Sequence, residues 1–318
     1  MNDAKAILRR KGRSFYFASL FLGAQTAAAC ARLYRFCRYV DYIADDPTLP
    51  PEQAYDRLET IQGDIAQRQS SDPIVCDFLA LASEHGVNLH AAHELIEGAK
   101  ADLDGCLIED LRQLRRYAYR VAGTVGVMIA PLIGAREPQA LPYAVDLGIG
   151  MQLTNIARDV KEDAQMGRRY LPAALGCDLA PQQILAATPG QRAQIAEAVL
   201  ALLDLAEPYY AHAELGFGYI EARNRPGFLV AARVYREIGQ RIREHEGNVL
   251  DRRHVCSLER KAITATKALI DYARHQHFRR RSHEHNDALH HGLEGLPGVA
   301  GHHQAMLEAG RRHHAANC

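Results

Sequence analysis

Apolar residues recur along most of this chain three and four positions apart, the spacing of one face of an α-helix. No run of alternating β-branched residues marks a strand. Breaks rich in Pro, Ser and Asp, such as residues 46–51, 70–73 and 136–138, separate long periodic stretches. The pattern predicts an all-α protein with helices over residues 3–12, 24–45, 52–68, 74–84, 91–104, 109–134, 139–166, 191–222, 228–245 and 257–275.

The end of the chain has a different character. Ten of the sixteen histidines lie at or after His275, together with the run Arg279 to Arg281. Such a polar segment buries too little apolar surface to offset its ordering entropy. We therefore predict one folded domain over residues 1–275 and a mobile His- and Arg-rich tail over residues 276–318. Its histidine pairs, at 290–291, 302–303 and 313–314, are interpreted as adventitious metal ligands rather than a built site.

Charge and cysteine content exclude several classes of protein. The 318 residues carry 38 Lys and Arg against 38 Asp and Glu, so no net basic field indicates a nucleic-acid partner. Seven cysteines without a C-x-x-C pair indicate neither a zinc site nor a disulfide framework. With no signal peptide and no apolar run long enough to span a bilayer, we expect a reduced, cytoplasmic protein.

Two stripes of oxygen-bearing side chains stand out against this background. In the first, Tyr34, Arg38, Asp41 and Asp45 follow one another at intervals of three or four residues, on a stretch that is otherwise apolar. In the second, Gln152, Asn155, Asp159 and Asp163 do the same, with Arg158 beside them. Such intervals place each set on one face of a helix.

Paired carboxylates on buried helices repel one another unless a cation compensates them. Carboxylate and amide oxygens are the ligands that Mg²⁺ prefers, and Arg suits diphosphate oxygens. Two such stripes predict a site for Mg²⁺, or Mn²⁺ in its place, and a diphosphate. The predicted metal ligands are Asp41, Asp45, Asn155, Asp159 and Asp163. The alternative is that both stripes are solvated helix faces with ordinary charge pairs.

Residues 35–46 and 152–163 resemble the two signatures of the phytoene/squalene synthase family, closest to the bacterial phytoene synthases. Residues 117–126, 14–16 and 167–172 resemble further blocks of that family, so the likeness covers roughly residues 8 to 272 in five ordered pieces. One departure is Tyr42, where many members carry a second acidic residue. The pair of aspartates one turn apart is intact, so we expect little effect on the site.

The resemblance implies a fold and a reaction. Its members are all-α isoprenoid synthases, single-domain helical bundles around a central cavity, that join two prenyl diphosphates head to head. The implied reaction condenses two geranylgeranyl diphosphates to phytoene through a cyclopropylcarbinyl diphosphate, prephytoene diphosphate, with Mg²⁺ and without NADPH. The alternative is a squalene or dehydrosqualene synthase that uses farnesyl diphosphate. A third alternative is a non-catalytic assembly factor, although the four aspartates of such a catalyst are present.

The resemblance also assigns roles. The implied catalytic residues are Tyr34, Arg38 and the four aspartates of the stripes. The implied substrate-binding residues are Phe15, Tyr34, Arg38, Tyr117, Val121, Gly126, Gln152, Asn155, Arg158, Tyr235 and Arg252. Small residues between Val121 and Gly126 either thin a helix beside a prenyl chain or allow close helix packing, and the resemblance favours the first. We expect peripheral contact with the cytoplasmic membrane face through the basic tail. The sequence carries no signal for an oligomeric state.

Overall fold

The computed structural model describes residues 16–17, 19–281 and 284–299. Eleven α-helices, numbered in chain order, dominate this part of the chain. They are α1 (Ala24–Asp45), α2 (Pro51–Gln67), α3 (Pro73–His85), α4 (Leu89–Leu103), α5 (Leu111–Ala118), α6 (Thr124–Ile129), α7 (Leu141–Gln165), α8 (Pro181–Leu185), α9 (Pro189–Leu215), α10 (Arg225–Arg243) and α11 (Leu258–Arg274). The described residues contain no β-strand, so the all-α prediction is confirmed.

Local sequence signals explain where most helices begin. The side chain of Asp72 accepts hydrogen bonds from the first backbone N–H groups of α3, and Asn88 does the same for α4. Asp110 caps α5, and Thr188 caps α9 with Gln191 completing a capping box. Most predicted helix boundaries agree with the observed ones to within a few residues. The predicted helix 109–134 is instead divided into α5, a π turn, α6 and a 3-10 turn, and residues 216–219 form a separate 3-10 turn. The short helix α8 was not predicted. The predicted helix 3–12 lies outside the described residues.

Helix α7 is the centre of the bundle. It packs against α9 on one side, against α6 and the preceding π-helical turn Tyr119–Gly123 on another, and against α10. Close approach to the π turn requires glycine, since a Cβ on Gly148 would lie 2.3 Å from the carbonyl oxygen of Ala122. Towards its end α7 leaves helical geometry at Asp159, with φ −102° and ψ 16°. The interruption therefore falls at a predicted metal ligand.

The prediction of a mobile tail from residue 276 differs from the structure. Residues 276–281 and 284–299 pack on the domain, where Phe278 and Leu293 are buried. Hydrogen bonds hold this segment, including one from the Tyr119 hydroxyl to the Pro297 carbonyl at 2.7 Å. Its apolar residues are few, but Phe278, Leu293, Leu296 and Val299 are buried, so average composition gave the wrong picture. Residues 300–318, with the histidine pairs at 302–303 and 313–314, lie outside the described residues.

Candidate active site

A cavity of about 760 Å³ runs through the bundle beside α7. Side chains of α1, α4, α9 and α10 complete its wall together with the segment from Tyr117 to Ala135. One end is lined by acidic and arginine side chains, and the rest by aliphatic and aromatic ones. Along α7 the lining extends from Tyr143 to Asp163, a rise of roughly 30 Å at 1.5 Å per residue.

Three helices end at the charged end of the cavity. Asp41 and Asp45 lie in the last turns of α1, Asp102 in the last turn of α4, and Asp159 and Asp163 in the last turns of α7. All five side chains line the cavity. The carboxyl end of a helix carries partial negative charge, so these termini add to the field of the carboxylates. This end of the cavity is built to attract cations.

The first stripe places one carboxylate pair beside two arginines. Arg38 donates to Asp41 at 3.1 Å, and Arg168 donates to Asp45 at 2.6 Å. Although 35% of the Asp41 side chain is accessible, that surface faces the deep cavity. Burial raises the pKa of Asp41 to about 7, against the lowering effect of Arg38, and the charges of Asp45 and Asp102 act in the same direction as burial.

In the second stripe the two aspartates differ in electrostatic state. Burial acts to raise the pKa of Asp159, but ion pairs with Arg158 and Arg253 outweigh it and the pKa is lowered. Arg253 donates to the two oxygens of Asp159 at 2.8 and 3.1 Å. Asp163 forms no ion pair with the described arginines, and burial and the charges of Asp159 and Asp102 outweigh the effect of Arg168 and hold its pKa well above the usual range. The uncompensated acid therefore lies one turn beyond the compensated one.

Asp102 is a site residue that sequence reasoning missed. It accepts hydrogen bonds from the hydroxyls of Tyr170, at 2.6 Å, and Tyr117, at 3.2 Å, whose rings stack 4.5 Å apart. Burial raises its pKa to about 6, although both hydrogen bonds and Arg168 act to lower it. No second acid lies one turn away on the same face of α4, so the sequence gave no pattern to recognise.

Four guanidinium groups surround the carboxylates, those of Arg38, Arg158, Arg168 and Arg253. Among the described residues, Nε of Arg38 is buried without a hydrogen-bond partner, so this cavity-facing arginine retains an unused donor. Arg169, next to Arg168 in the chain, binds the Ile108 carbonyl and Glu109 away from the cavity. A planar donor fork suits a diphosphate oxygen pair.

The side chains of this region fit a hard divalent cation. Asp41, Asp102 and Asp163 share one end of the cavity and all have raised pKa values, which shows that their negative charges are not balanced by the arginines alone. Asn155 lines the cavity, and its Oδ1 atom is buried without a hydrogen-bond partner among the described residues. An orphaned amide oxygen beside uncompensated carboxylates is a donor set that suits Mg²⁺.

The opposite end of the cavity is apolar and made from many elements. Its wall includes Ile129, Ala130, Ile133, Ala140, Ala144, Ala213, Phe217, Ile220, Phe228 and Ala231. Half of these ten side chains are alanines, which leave the volume of the cavity open. Gly126 also lines it, but a Cβ there would lie 2.1 Å from the Ala144 carbonyl oxygen. Gly126 therefore permits close packing of α6 on α7, the reading that the sequence analysis set second.

The structure gathers most of the predicted site residues into this cavity. Thirteen of the fifteen line it: Tyr34, Arg38, Asp41, Asp45, Tyr117, Val121, Gly126, Gln152, Asn155, Arg158, Asp159, Asp163 and Tyr235. Arg252 is exposed and does not line the cavity, and the adjacent Arg253 takes the place predicted for it. Both lie in an irregular loop, where helical spacing gives no guide to direction. Phe15 lies outside the described residues.

Comparisons with known proteins agree with this geometry. Residues 8–260 match the family described as squalene/phytoene synthase. A 15-cis-phytoene synthase of Pantoea ananas is 33% identical over 265 residues, 80% of this chain and 85% of that protein. A 15-cis-phytoene synthase of a Paracoccus species is 38% identical over 221 residues, 67% of this chain and 72% of that protein.

Solved structures show the same fold. A dehydrosqualene synthase in complex with a ligand superposes with a TM-score of 0.76 at 26% identity, covering 86% of this chain and 96% of that one. The squalene synthase HpnC from Alicyclobacillus acidocaldarius superposes with a TM-score of 0.67 at 19% identity, covering 78% of this chain and 94% of that one. The helices that line the cavity therefore belong to an architecture shared with isoprenoid synthases.

Proposed function

The chain belongs to the squalene/phytoene synthase family and is a prenyltransferase, and we propose that it joins two geranylgeranyl diphosphates head to head to form phytoene, with release of pyrophosphate. One observation carries the proposal: a single cavity has carboxylates and arginines at one end and a long apolar wall beyond them. The charged end suits the diphosphate and the apolar wall suits the prenyl chains.

Loss of diphosphate is the step that the charged end supports. Arg38, Arg158, Arg168 and Arg253 line the position that a diphosphate would occupy, and preorganised positive charge stabilises a departing anion. Arg158 and Arg253 are already held in place by Asp159, so little side-chain reorganisation accompanies binding. These four residues would bind and orient the leaving group.

The divalent cation has its ligands in the two stripes. Asp41, Asp45, Asn155, Asp159 and Asp163 would hold Mg²⁺, and Asp102 lies beside them. Bound there, Mg²⁺ would neutralise charge on the diphosphate as it leaves. Because Asp41 and Asp163 have raised pKa values, their carboxyl groups would release protons when the cation binds.

The remaining wall would protect an allylic cation from water. Ionisation breaks the C1–O bond of one prenyl diphosphate, and the bonding electrons leave with the diphosphate. A double bond of the second chain supplies the electrons of the new C–C bond, and loss of a proton closes the cyclopropane ring of prephytoene diphosphate. Ionisation of the remaining C1–O bond, rearrangement and loss of a second proton would then give phytoene and the second pyrophosphate. Tyr34, Tyr117 and Tyr235 face the cavity, where aromatic rings can stabilise positive charge. The aliphatic wall excludes water, which would otherwise capture the cation.

The relatives favour a C40 product over a C30 one. The named phytoene synthases reach 33% and 38% identity, whereas the dehydrosqualene synthase is 26% identical. The C30 alternative, condensation of two farnesyl diphosphates, is the second candidate because that structural neighbour covers almost the same part of the chain. A phytoene synthase forms its triene without a reductant, so we propose no use of NADPH.

Incubation with each prenyl diphosphate tests the proposal. The purified chain receives geranylgeranyl or farnesyl diphosphate with Mg²⁺, with and without NADPH, and the extracted lipid is identified by mass. The proposal expects phytoene from geranylgeranyl diphosphate in both the presence and the absence of NADPH. Exclusive formation of a C30 hydrocarbon would replace phytoene synthesis by the second candidate. Absence of turnover with either substrate would overturn the enzymatic proposal.

We also propose that the enzyme works at a membrane surface, because its substrates and product carry long apolar chains. No helix in the described part of the chain is both long and apolar enough to cross a bilayer. Co-sedimentation with anionic vesicles tests the idea, with a variant in which Arg279, Arg280 and Arg281 become Gln. We expect the unaltered chain to bind the vesicles in a salt-sensitive way and the variant to lose this binding. Equal binding by the variant would exclude these arginines as the contact.

A further inference from the structure

A second set of metal-ligating side chains lies outside the prenyl diphosphate cavity. Asp146 of α7 is fully buried, and both of its oxygens face histidines of the C-terminal segment 284–299. His285 Nε2 lies 2.8 Å from Oδ2 and His290 Nε2 lies 3.0 Å from Oδ1. Each of the three residues therefore offers one possible metal-ligand atom, and in this described part of the chain these three atoms all lie within 4.8 Å of one another.

A third histidine approaches the set from another helix. His212 belongs to α9, and its ring centroid lies 5.9 Å from that of His285. Its Nδ1 atom is buried and has no hydrogen-bond partner among the described residues. A buried imidazole nitrogen without a partner costs free energy, so its position near His285, one of the three potential ligands, points to a missing neighbour.

From these contacts we propose a structural zinc site formed by Asp146, His285 and His290, with His212 able to complete it. Imidazole nitrogens and one carboxylate oxygen are ligands that Zn²⁺ binds at about 2.0–2.2 Å. Ligands at that distance around a tetrahedral ion lie roughly 3.4 Å apart. The atoms observed within 4.8 Å therefore need only small side-chain movements to bind the ion.

The position of the site gives it a structural role. Asp146 anchors it to the central helix, His212 lies on its neighbour α9, and the other two ligands come from the segment that covers them. Two further hydrogen bonds hold the same segment. The Tyr209 hydroxyl donates to the Leu289 carbonyl at 2.8 Å, and Arg115 donates to the His291 carbonyl at 2.6 Å. A bound ion would fasten the C-terminal segment to α7 and α9, which both line the cavity.

Zinc binding by the full chain tests the proposal, after adventitious ligands are removed. The reference protein carries His302, His303, His313 and His314 replaced by Gln, and Mg²⁺ is present in excess to occupy oxygen sites. Equilibrium dialysis then measures bound zinc, and Co²⁺ in its place reports coordination by its visible spectrum. The site variants are Asp146→Asn and His285→Gln. The matched control is His245→Gln, since His245 and His254 form a histidine pair elsewhere, 4.9 Å between ring centroids.

The proposal expects one equivalent of zinc in the reference protein and in the His245→Gln control. It expects a roughly tenfold or greater loss of affinity in Asp146→Asn and in His285→Gln, with the four-coordinate Co²⁺ spectrum lost. If Asp146→Asn fails to fold, His285→Gln and His212→Gln decide the question. Zinc bound equally by His285→Gln, or bound only when the four terminal histidines are present, would overturn the site. The triad would then be a hydrogen-bonded clamp alone.

Discussion

The two ends of the cavity are built in different ways. The charged end takes its acids from the last turns of α1, α4 and α7, where helical spacing places each side chain beside the next. The apolar end collects single small residues from at least four elements, such as Ala130, Ala144, Ala213 and Ala231. In the proposed reaction, the side chains for ionisation therefore lie in repeated local patterns, whereas the chain length accepted would depend on how separate helices pack.

The largest expected effect comes from removing one carboxylate at the charged end. We predict that Asp41→Asn or Asp159→Asn lowers the rate of pyrophosphate release by about 10³-fold, because each change removes a ligand of the cation that stabilises the leaving group. Far-ultraviolet circular dichroism should be unchanged, since no core volume is lost. Asp56→Asn, an exposed position on α2, serves as the control. Wild-type rates in both variants would contradict the site assignment.

Narrowing the apolar end should change substrate choice and leave ionisation in place. We predict that Ala213→Leu lowers kcat/KM for geranylgeranyl diphosphate by roughly tenfold or more relative to farnesyl diphosphate, since added methylenes fill space needed by the longer chain. Ala211→Leu, exposed on the same helix, is the matched control. An unchanged ratio of the two kcat/KM values would show that chain length is set elsewhere.

Asp102 lies between the two stripes, and its replacement should have an intermediate effect. We predict that Asp102→Asn lowers kcat by roughly tenfold, because it orients the Tyr117 and Tyr170 hydroxyls and contributes charge beside the metal ligands. Tyr170→Phe removes the shorter hydrogen bond and should reproduce part of the loss. Steady-state kinetics on both variants checks this expectation. Full activity in Asp102→Asn would show that the acid matters only for folding.

The raised pKa values predict a smaller, pH-dependent effect on stability. Burial raises the pKa of Asp41 to about 7 and that of Asp102 to about 6, from an unperturbed 3.8. A folded state that holds these protons more tightly is favoured at low pH and loses that contribution as pH rises through 6 to 7. Mg²⁺ binds the deprotonated carboxyl groups. Addition of Mg²⁺ should therefore raise the Tm of the protein by a few degrees more at pH 8 than at pH 6.

The double variant Asp41→Asn, Asp102→Asn is the control for that measurement, because neither position can then titrate. Differential scanning fluorimetry with and without Mg²⁺ at the two pH values gives the comparison. The increase in Tm should become small and less dependent on pH in the double variant, where Asp163 is the one of the three acids with raised pKa values that can still titrate. A larger increase at pH 6 than at pH 8 in the unaltered chain would show that the assigned carboxyl groups do not control cation binding.

The sequence could group the acids of the charged end because they repeat on single helices, and the structure places them in one cavity. The order Asp41, Asp45 and Asp159, Asp163 places each pair on one face whatever the rest of the fold does. Asp102 was not predicted because no second acid lies one turn away on its own helix. Arg252 was predicted instead of Arg253 because side-chain direction has no fixed period in a loop. The fold class followed from periodicity, and the boundaries of α1 were predicted without error.

The remaining differences arise from tertiary packing. Residues 276–281 and 284–299 look polar on average, yet Phe278, Leu293 and Leu296 are buried where they meet the domain. Asp146 is fully buried on α7, and its histidine partners lie more than one hundred positions later. No spacing rule connects residues so far apart, so only the folded chain shows that they meet.

A crystal structure with a non-ionising thio-diphosphate analogue of geranylgeranyl diphosphate and Mg²⁺ would test the central claim most directly. The account predicts the diphosphate at the charged end, in contact with Arg158 and with Mg²⁺ held by Asp41 and Asp159. It predicts the prenyl chain along α7 with its terminus near Phe217 and Ala213. A diphosphate bound away from these carboxylates, or a prenyl chain outside the cavity, would contradict it.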